Sequence, residues 1–121
     1  MSSTRIALGK FGEDLACEEL ARRGYAILAR RYRSRDGELD IVAREAGTLV
    51  FVEVKLREGN AFGEAEEAVT AIKRRRIVRL AQEYLMRHHI GDVPCRFDVV
   101  AIRLGDGAPS IEVFSHAFDA D

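Results

Sequence analysis

Two short apolar stretches of this chain contain charged residues where a buried strand would normally be apolar throughout. Asp40 interrupts residues 37–42, and Glu53 and Lys55 interrupt residues 50–55. Charged side chains are rarely buried unless they are paired or bind a metal. Because residues i and i+2 of a strand share a face, Glu53 and Lys55 point the same way, and Asp40 can join them from a neighbouring strand.

An Asp, a Glu and a Lys on one face of a sheet suit a divalent metal ion and a water molecule. Hard cations such as Mg²⁺ and Mn²⁺ prefer carboxylate and carbonyl oxygens as ligands. Such an ion lowers the pKa of a bound water and stabilises charge on a phosphate oxygen. Lys55 would position the attacking water or help to deprotonate it. We therefore expect a Mg²⁺ or Mn²⁺ site that hydrolyses phosphodiester bonds.

The competing interpretation of these residues is a surface ion pair on an edge strand, which is the commoner reason for so short a pattern. The neighbouring residues argue against it, because the strand around the charged pair is apolar on both faces. One face carries Val50, Val52, Val54 and Leu56, and the other carries Leu49 and Phe51 beside the charged pair. A strand of this kind is typical of the middle of a sheet.

Apolar periodicity predicts the helices and strands that must position these residues. The first predicted helix spans 4–23 and is capped by Gly24, and its apolar stripe consists of Leu8, Phe11, Gly12, Leu15 and Ala16. The second predicted helix spans 70–89 with Thr70 as N-cap, and its apolar stripe consists of Ile77, Leu80, Ala81, Tyr84 and Leu85. Strands are predicted at 25–33, 38–43, 48–56, 95–103 and 111–118, with a hairpin turn at 44–47 and a loop running into a short helical piece at 57–69. We expect an α/β fold in which helices flank a mixed central sheet of about five strands.

Composition is that of a globular protein with one domain, residues 1–121. The chain is 47% hydrophobic and 32% charged, with a formal net charge of −1. Cys17 and Cys95 stand far apart, which argues against a disulfide framework or a zinc site. No apolar leader or membrane-length run is present, so we expect a cytoplasmic protein with no membrane partner.

The sequence contains two basic clusters, although its formal net charge is close to zero. Arg30, Arg31, Arg33 and Arg35 lie at a strand end beside the expected site, and we predict that they contact phosphates. In the cluster at 73–76, Lys73 and Arg76 are predicted to contact nucleic acid. A solvated helix start remains the alternative for that cluster, because four residues in one turn cannot share a face. Asp98 is expected to be structural and paired with Arg96.

The ordered motifs of the chain resemble the YraN family of uncharacterised bacterial proteins. These proteins are predicted endonucleases of the restriction-endonuclease-like (PD-(D/E)XK) superfamily, and the chain is more distantly similar to archaeal Holliday-junction resolvases. The resemblance rests on residues 9–13, 37–40, 51–55, 73–77 and 96–100.

The resemblance implies a role for each site residue. Asp40 and Glu53 match the metal-binding carboxylates of the superfamily, and Lys55 matches its catalytic lysine. Glu13, which the helical wheel permits at the edge of the core, matches a first-helix glutamate that approaches the same metal. Leu39 stands where the superfamily usually has a proline.

Three functions follow from these residues. The leading hypothesis is a metal-dependent endonuclease with catalytic residues Glu13, Asp40, Glu53 and Lys55, cutting DNA, with branched or junction DNA as one substrate shape. The alternative is a module that binds nucleic acid or a partner without catalysis. A nuclease acting on RNA is the weakest, since no aromatic platform is present. Symmetrical cutting of a junction would require a homodimer, and the sequence identifies no two-fold interface.

Overall fold

The helices and strands follow one another in the predicted order. The structure, a computed structural model, describes residues 2–58 and 70–120, with side chains for 8–57 and 70–120. Its elements are α1 (Ser2–Arg22), β1 (Ala26–Ser34), β2 (Gly37–Glu45), β3 (Thr48–Glu58), α2 (Ala71–Arg87), β4 (Cys95–Leu104) and β5 (Ser110–Phe118). The short helical piece predicted before Thr70 falls outside the described residues.

The five strands form one mixed sheet, as predicted. Their spatial order follows the chain, β1-β2-β3-β4-β5. Neighbouring strands are antiparallel except for β3 and β4, which are parallel. A parallel pair needs a crossover connection, and the segment that contains α2 supplies it. The strand that carries Glu53 and Lys55 is therefore the central one.

Each face of the sheet is covered by one helix and its own apolar core. On one face α2 packs with Leu39, Val42, Leu49, Phe51, Ile77, Leu80, Ala81, Tyr84, Phe97, Val99 and Phe118. On the other face α1 packs with Ala16, Leu20, Tyr25, Ile41, Ala43, Val50, Val52, Val100 and Ile102. Three layers result, consistent with the expected restriction-endonuclease-like core. Within the described residues, no helix is both long and apolar enough to cross a membrane.

The buried face of α1 differs from the predicted stripe. Phe11 was expected in the core but is 45% exposed, whereas Gly12 and Glu13 are buried. Gly12 faces β3, where an added Cβ would be in ordinary van der Waals contact with Leu56 Cδ1 at 3.5 Å. The residue without a side chain therefore faces the sheet, and the neighbouring Phe11 is rotated about 100° away from it.

Both predicted helix caps are present. Gly24 has φ +96°, and its N–H donates to Ala21 O at 3.0 Å while Tyr25 N–H donates to Leu20 O at 3.0 Å. This pair of bonds is a Schellman motif. At the start of α2, Thr70 Oγ1 accepts the N–H of Lys73 at 3.2 Å.

Asp98 is fully buried and structural, as expected. Its carboxylate accepts hydrogen bonds from Tyr25 Oη at 2.8 Å, Arg96 Nε at 3.0 Å and the backbone N–H of His116 at 3.1 Å. Arg96 also pairs with Glu45 at 2.5 Å. These bonds join the end of α1, the β2–β3 turn, β4 and β5 at one end of the sheet.

Replacing Asp98 tests this network. Asp98→Ala leaves the Arg96 charge and the Tyr25 hydroxyl without their buried acceptor, and we expect a loss of about 3–5 kcal/mol in the free energy of unfolding. Chemical denaturation measures it, with exposed Asp106→Ala as the control. A loss for Asp98→Ala no larger than that of the control would show that the network is not structural.

Candidate active site

The site forms where the ladder between β2 and β3 ends. Paired residues run from Glu45↔Thr48 to Ile41↔Val52, and no further pair of these two strands is formed within the described residues. At the next position the Asp40 carboxylate accepts the N–H of Val54 at 2.8 Å. A side chain thus takes the place of a backbone carbonyl, which holds Asp40 against the central strand.

Three carboxylates converge at this point. Glu13 of α1 and Glu38 and Asp40 of β2 each present an oxygen, and these oxygens all lie within 4.8 Å of one another. Glu13 is 8% exposed. The predicted pair Glu13 and Asp40 is therefore brought together, and Glu38 joins them. Carboxylate oxygens at this spacing match the donors that Mg²⁺ and Mn²⁺ prefer, so these residues fit such an ion.

Glu38 was not predicted as a ligand, although its i, i+2 spacing to Asp40 on one strand was a usable signal. The spacing alone could not select it, because Arg33 binds Glu38 at 2.9 Å and an exposed ion pair explains the same pattern.

Glu53 lies beside this cluster and is held by two lysines. Its side chain is 8% exposed, and its Oε2 lies 3.8 Å from Lys55 Nζ and 2.5 Å from Lys73 Nζ. Lys55 was predicted here. Lys73 was predicted to contact nucleic acid, and in this structure its amine pairs with Glu53. A carboxylate paired in this way can be buried in the middle of a central strand.

The pKa of Asp40 is raised from 3.8 to about 8. Burial is the main cause, and the negative charge of Glu53 adds to it, while the hydrogen bond from Val54 acts in the opposite direction. Two carboxyl groups that face each other in a buried site cannot both ionise easily. A divalent cation would reverse this balance, because it favours the charged form.

The pKa of Lys55 is lowered to about 8. Burial is again the first cause, and the hydrogen bond and positive charge of Lys73 come next. A lysine with a pKa near neutrality can exchange a proton at the operating pH, which suits a group that positions or deprotonates water.

Three of the arginines predicted to contact phosphate are paired with nearby carboxylates. Arg30 lies 2.7 Å from Asp14, Arg31 lies 2.8 Å from Glu13, and Arg33 lies 2.9 Å from Glu38. Arg31 has φ 53°, an uncommon conformation for a residue with a side chain. It stands between the ladder pairs Arg30↔Ile41 and Tyr32↔Leu39, so it lies opposite Asp40. These arginines therefore surround the carboxylate cluster.

Arg35 lies in the turn between β1 and β2, and Arg76 of α2 lies beside Gly37, where β2 begins. Arg35 is exposed and has no ion-pair partner in the part of the chain that the structure describes. The Arg76 side chain passes close to Gly37, since a Cβ at Gly37 would lie 3.2 Å from Arg76 Cδ. Gly37 has φ +133°, a conformation that glycine adopts readily.

Comparison with known proteins finds close relatives. A family model described as "Uncharacterised protein family UPF0102" matches residues 12–102. A UPF0102 protein of Anaeromyxobacter dehalogenans is 48% identical over 117 residues, which is 97% of this chain and 87% of the relative. A UPF0102 protein of Syntrophotalea carbinolica is 46% identical over 121 residues, 100% of this chain and 98% of the relative. UPF0102 protein STH1475 of Symbiobacterium thermophilum is 48% identical over 114 residues, 93% of this chain and 97% of the relative.

The raised pKa of Asp40 predicts how stability depends on pH without metal. Folding favours the protonated carboxyl, so the unfolded chain binds fewer protons between about pH 4 and pH 8. The free energy of unfolding should fall as pH rises through that window. Asp40→Asn should flatten the fall and stabilise the protein by about 1–2 kcal/mol at pH 7, because the amide can still accept the Val54 N–H.

Denaturation in EDTA across that pH range measures this effect, and Asp106→Asn controls for a general change in charge. Equal slopes for wild type and Asp40→Asn would contradict the raised pKa.

Proposed function

The chain belongs to the UPF0102 family, the YraN family that its motifs resemble. Because the names of its relatives state no activity, we propose from the chemistry of the site that this protein is a Mg²⁺- or Mn²⁺-dependent endonuclease that hydrolyses phosphodiester bonds in DNA. The observation that carries this proposal is the convergence of Asp40 with Glu13 and Glu38, next to Glu53 and a half-buried Lys55.

The four carboxylates of the site have two roles: three would bind the cation, and Glu53 pairs with the lysines. Glu13, Glu38 and Asp40 would hold the ion, with Glu53 beside them. When bound, the ion would supply a water of lowered pKa and offset charge on the scissile phosphate. Lys55 Nζ would orient the attacking water, and the fraction of Lys55 that is unprotonated near its pKa of about 8 would take up the proton of that water.

The charge balance of the site also supports binding of a phosphodiester. When Asp40 is ionised, four carboxylates face four cations: Glu13, Glu38, Asp40 and Glu53 against Arg31, Arg33, Lys55 and Lys73. A divalent ion added to this balanced group leaves two positive charges. The group would then attract the negatively charged DNA backbone, since phosphate contacts supply much of the affinity for DNA.

Cleavage of labelled DNA tests the proposal. Wild type should cut with Mg²⁺ or Mn²⁺ and leave 5′-phosphate and 3′-hydroxyl ends, by analogy with the superfamily. Asp40→Ala should abolish cutting, and Lys55→Ala should lower kcat by about 10²–10⁴-fold. A panel of duplex, single-stranded and branched DNA reveals the preferred substrate shape. No cutting of any substrate by wild type, or undiminished cutting by both variants, would overturn the proposal.

Exposed Asp106→Ala is the matched control for these variants, because it removes a carboxylate at a distance along the chain from all the site residues. It should cut as wild type does.

A non-catalytic binding module is the second candidate. The observation that favours it is that three of the four carboxylates are already paired with basic side chains, as in a purely structural network. Calorimetry with Mn²⁺ separates the two candidates. The endonuclease binds Mn²⁺ and loses that binding on Asp40→Ala, whereas the module binds DNA in a salt-sensitive way without metal.

The exposed arginines predict a further binding property. Arg35→Ala should weaken DNA binding on all sequences alike and lower the slope of log affinity against log salt by about 1, because one phosphate contact is lost. Fluorescence anisotropy in Ca²⁺ at several salt concentrations measures this slope. Arg22→Ala is the control, because Arg22 pairs with Glu19 at the far end of α1 from Glu13. An unchanged slope for Arg35→Ala would remove Arg35 from the proposed contacts.

A further inference from the structure

Lys73 is closer to Glu53 than Lys55 is, although it belongs to a different element. Its Nζ lies 2.5 Å from Glu53 Oε2, against 3.8 Å for Lys55 Nζ. The Lys73 side chain is 33% exposed, far less than a lysine on an open helix face. The amine therefore reaches inward to the site.

The position of Lys73 on α2 explains this inward direction. The buried residues of α2 are Ile77, Leu80, Ala81 and Tyr84, which follow Lys73 at i+4, i+7, i+8 and i+11. These intervals describe one face of a helix, so the buried stripe of α2 begins with a lysine. The N-cap bond from Lys73 N–H to Thr70 Oγ1 holds its backbone at the first turn.

A lysine at this position does not help the helix. The amino end of a helix carries partial positive charge, so a cation there is unfavourable, and the first turn of α2 contains no acidic residue. Neither the core nor the helix thus accounts for a lysine at residue 73, whereas the pairing with Glu53 does.

We propose that Lys73 is a positioning residue for the hydrolysis, a role that rests on the proposed function. As the nearer counter-ion of Glu53, Lys73 keeps that carboxylate in place. Lys55 then remains at the longer distance, and its amine stays available to the water and the phosphate. Without Lys73, Lys55 would be the cation left to neutralise Glu53, and the ion pair would draw it away from its substrate.

Kinetic and binding measurements distinguish a positioning role of Lys73 from a contact between Lys73 and a phosphate. Lys73→Met keeps the length of the side chain and removes the charge. We expect it to lower kcat about 100-fold, with a smaller change in KM and in the affinity for DNA in Ca²⁺, since the site loses one positive charge, and with the salt slope unchanged, since no phosphate contact is lost. Lys73→Arg should restore part of kcat, since it restores the cation. Arg75→Met is the matched control, because Arg75 is exposed and lies two residues after Lys73 in the same helical turn. This variant should have the kcat of wild type.

Two results would overturn this role. One is a lower salt slope and weaker DNA binding for Lys73→Met with kcat retained at saturation, which is the behaviour of a phosphate contact. The other is an equal loss of kcat in Lys73→Arg and Lys73→Met together with equal melting temperatures, which would show that the cation is not what matters.

A measurement without DNA or metal keeps this inference distinct from the proposed function. In EDTA, the melting temperatures of Lys73→Met, Glu53→Gln and the double variant form a double-mutant cycle. The ion pair predicts that the double variant loses less than the sum of the single losses. Additive losses would overturn the pairing, whereas a coupled cycle with a wild type that cuts nothing would overturn the endonuclease and leave only the Lys73–Glu53 pairing standing.

Discussion

The hydrogen bond from Val54 N–H to the Asp40 carboxylate is the contact on which the rest of the site depends. It lies at the position where the β2–β3 ladder stops, and it replaces a backbone acceptor with a side-chain one. The backbone N–H of the partly buried Val54 needs a partner, so turning Asp40 away from the central strand would leave this N–H without its acceptor. The first carboxylate of the site is thereby held in place by the demands of the sheet itself.

The position of this bond also explains how residues from both helices meet. Glu13 arrives from α1, on one side of the sheet, and Lys73 arrives from α2, whose core covers the other side. Elsewhere the paired strands separate the two layers. Where β2 and β3 are no longer paired, side chains from the two layers can approach the same carboxylates, so the end of the ladder is where the three layers share one polar cluster.

Burial disfavours charge at two groups of this cluster. The raised pKa of Asp40 and the lowered pKa of Lys55 both arise first from burial. Each shift means that folding disfavours the charged form of a group whose charge would be needed to hold a cation or a phosphate. By contrast, the Asp98 network at the other end of the sheet pairs its buried charge with three donors and joins four elements. The two buried acidic centres of this fold thus differ in kind, one satisfied and one strained.

Local patterns in the sequence determined the elements, the central place of the strand around Glu53, and the shared face of Glu53 and Lys55, because alternation and helical spacing are properties of neighbouring residues. They also determined both helix caps. Only the tertiary structure decided which face of α1 is buried, which excluded Phe11 and enclosed Glu13. It also decided that Glu38 joins the carboxylates and that Lys73 reaches Glu53. These outcomes depend on where a ladder ends and how closely a helix approaches the sheet, and such distances between separate elements are not encoded in any short stretch of the chain.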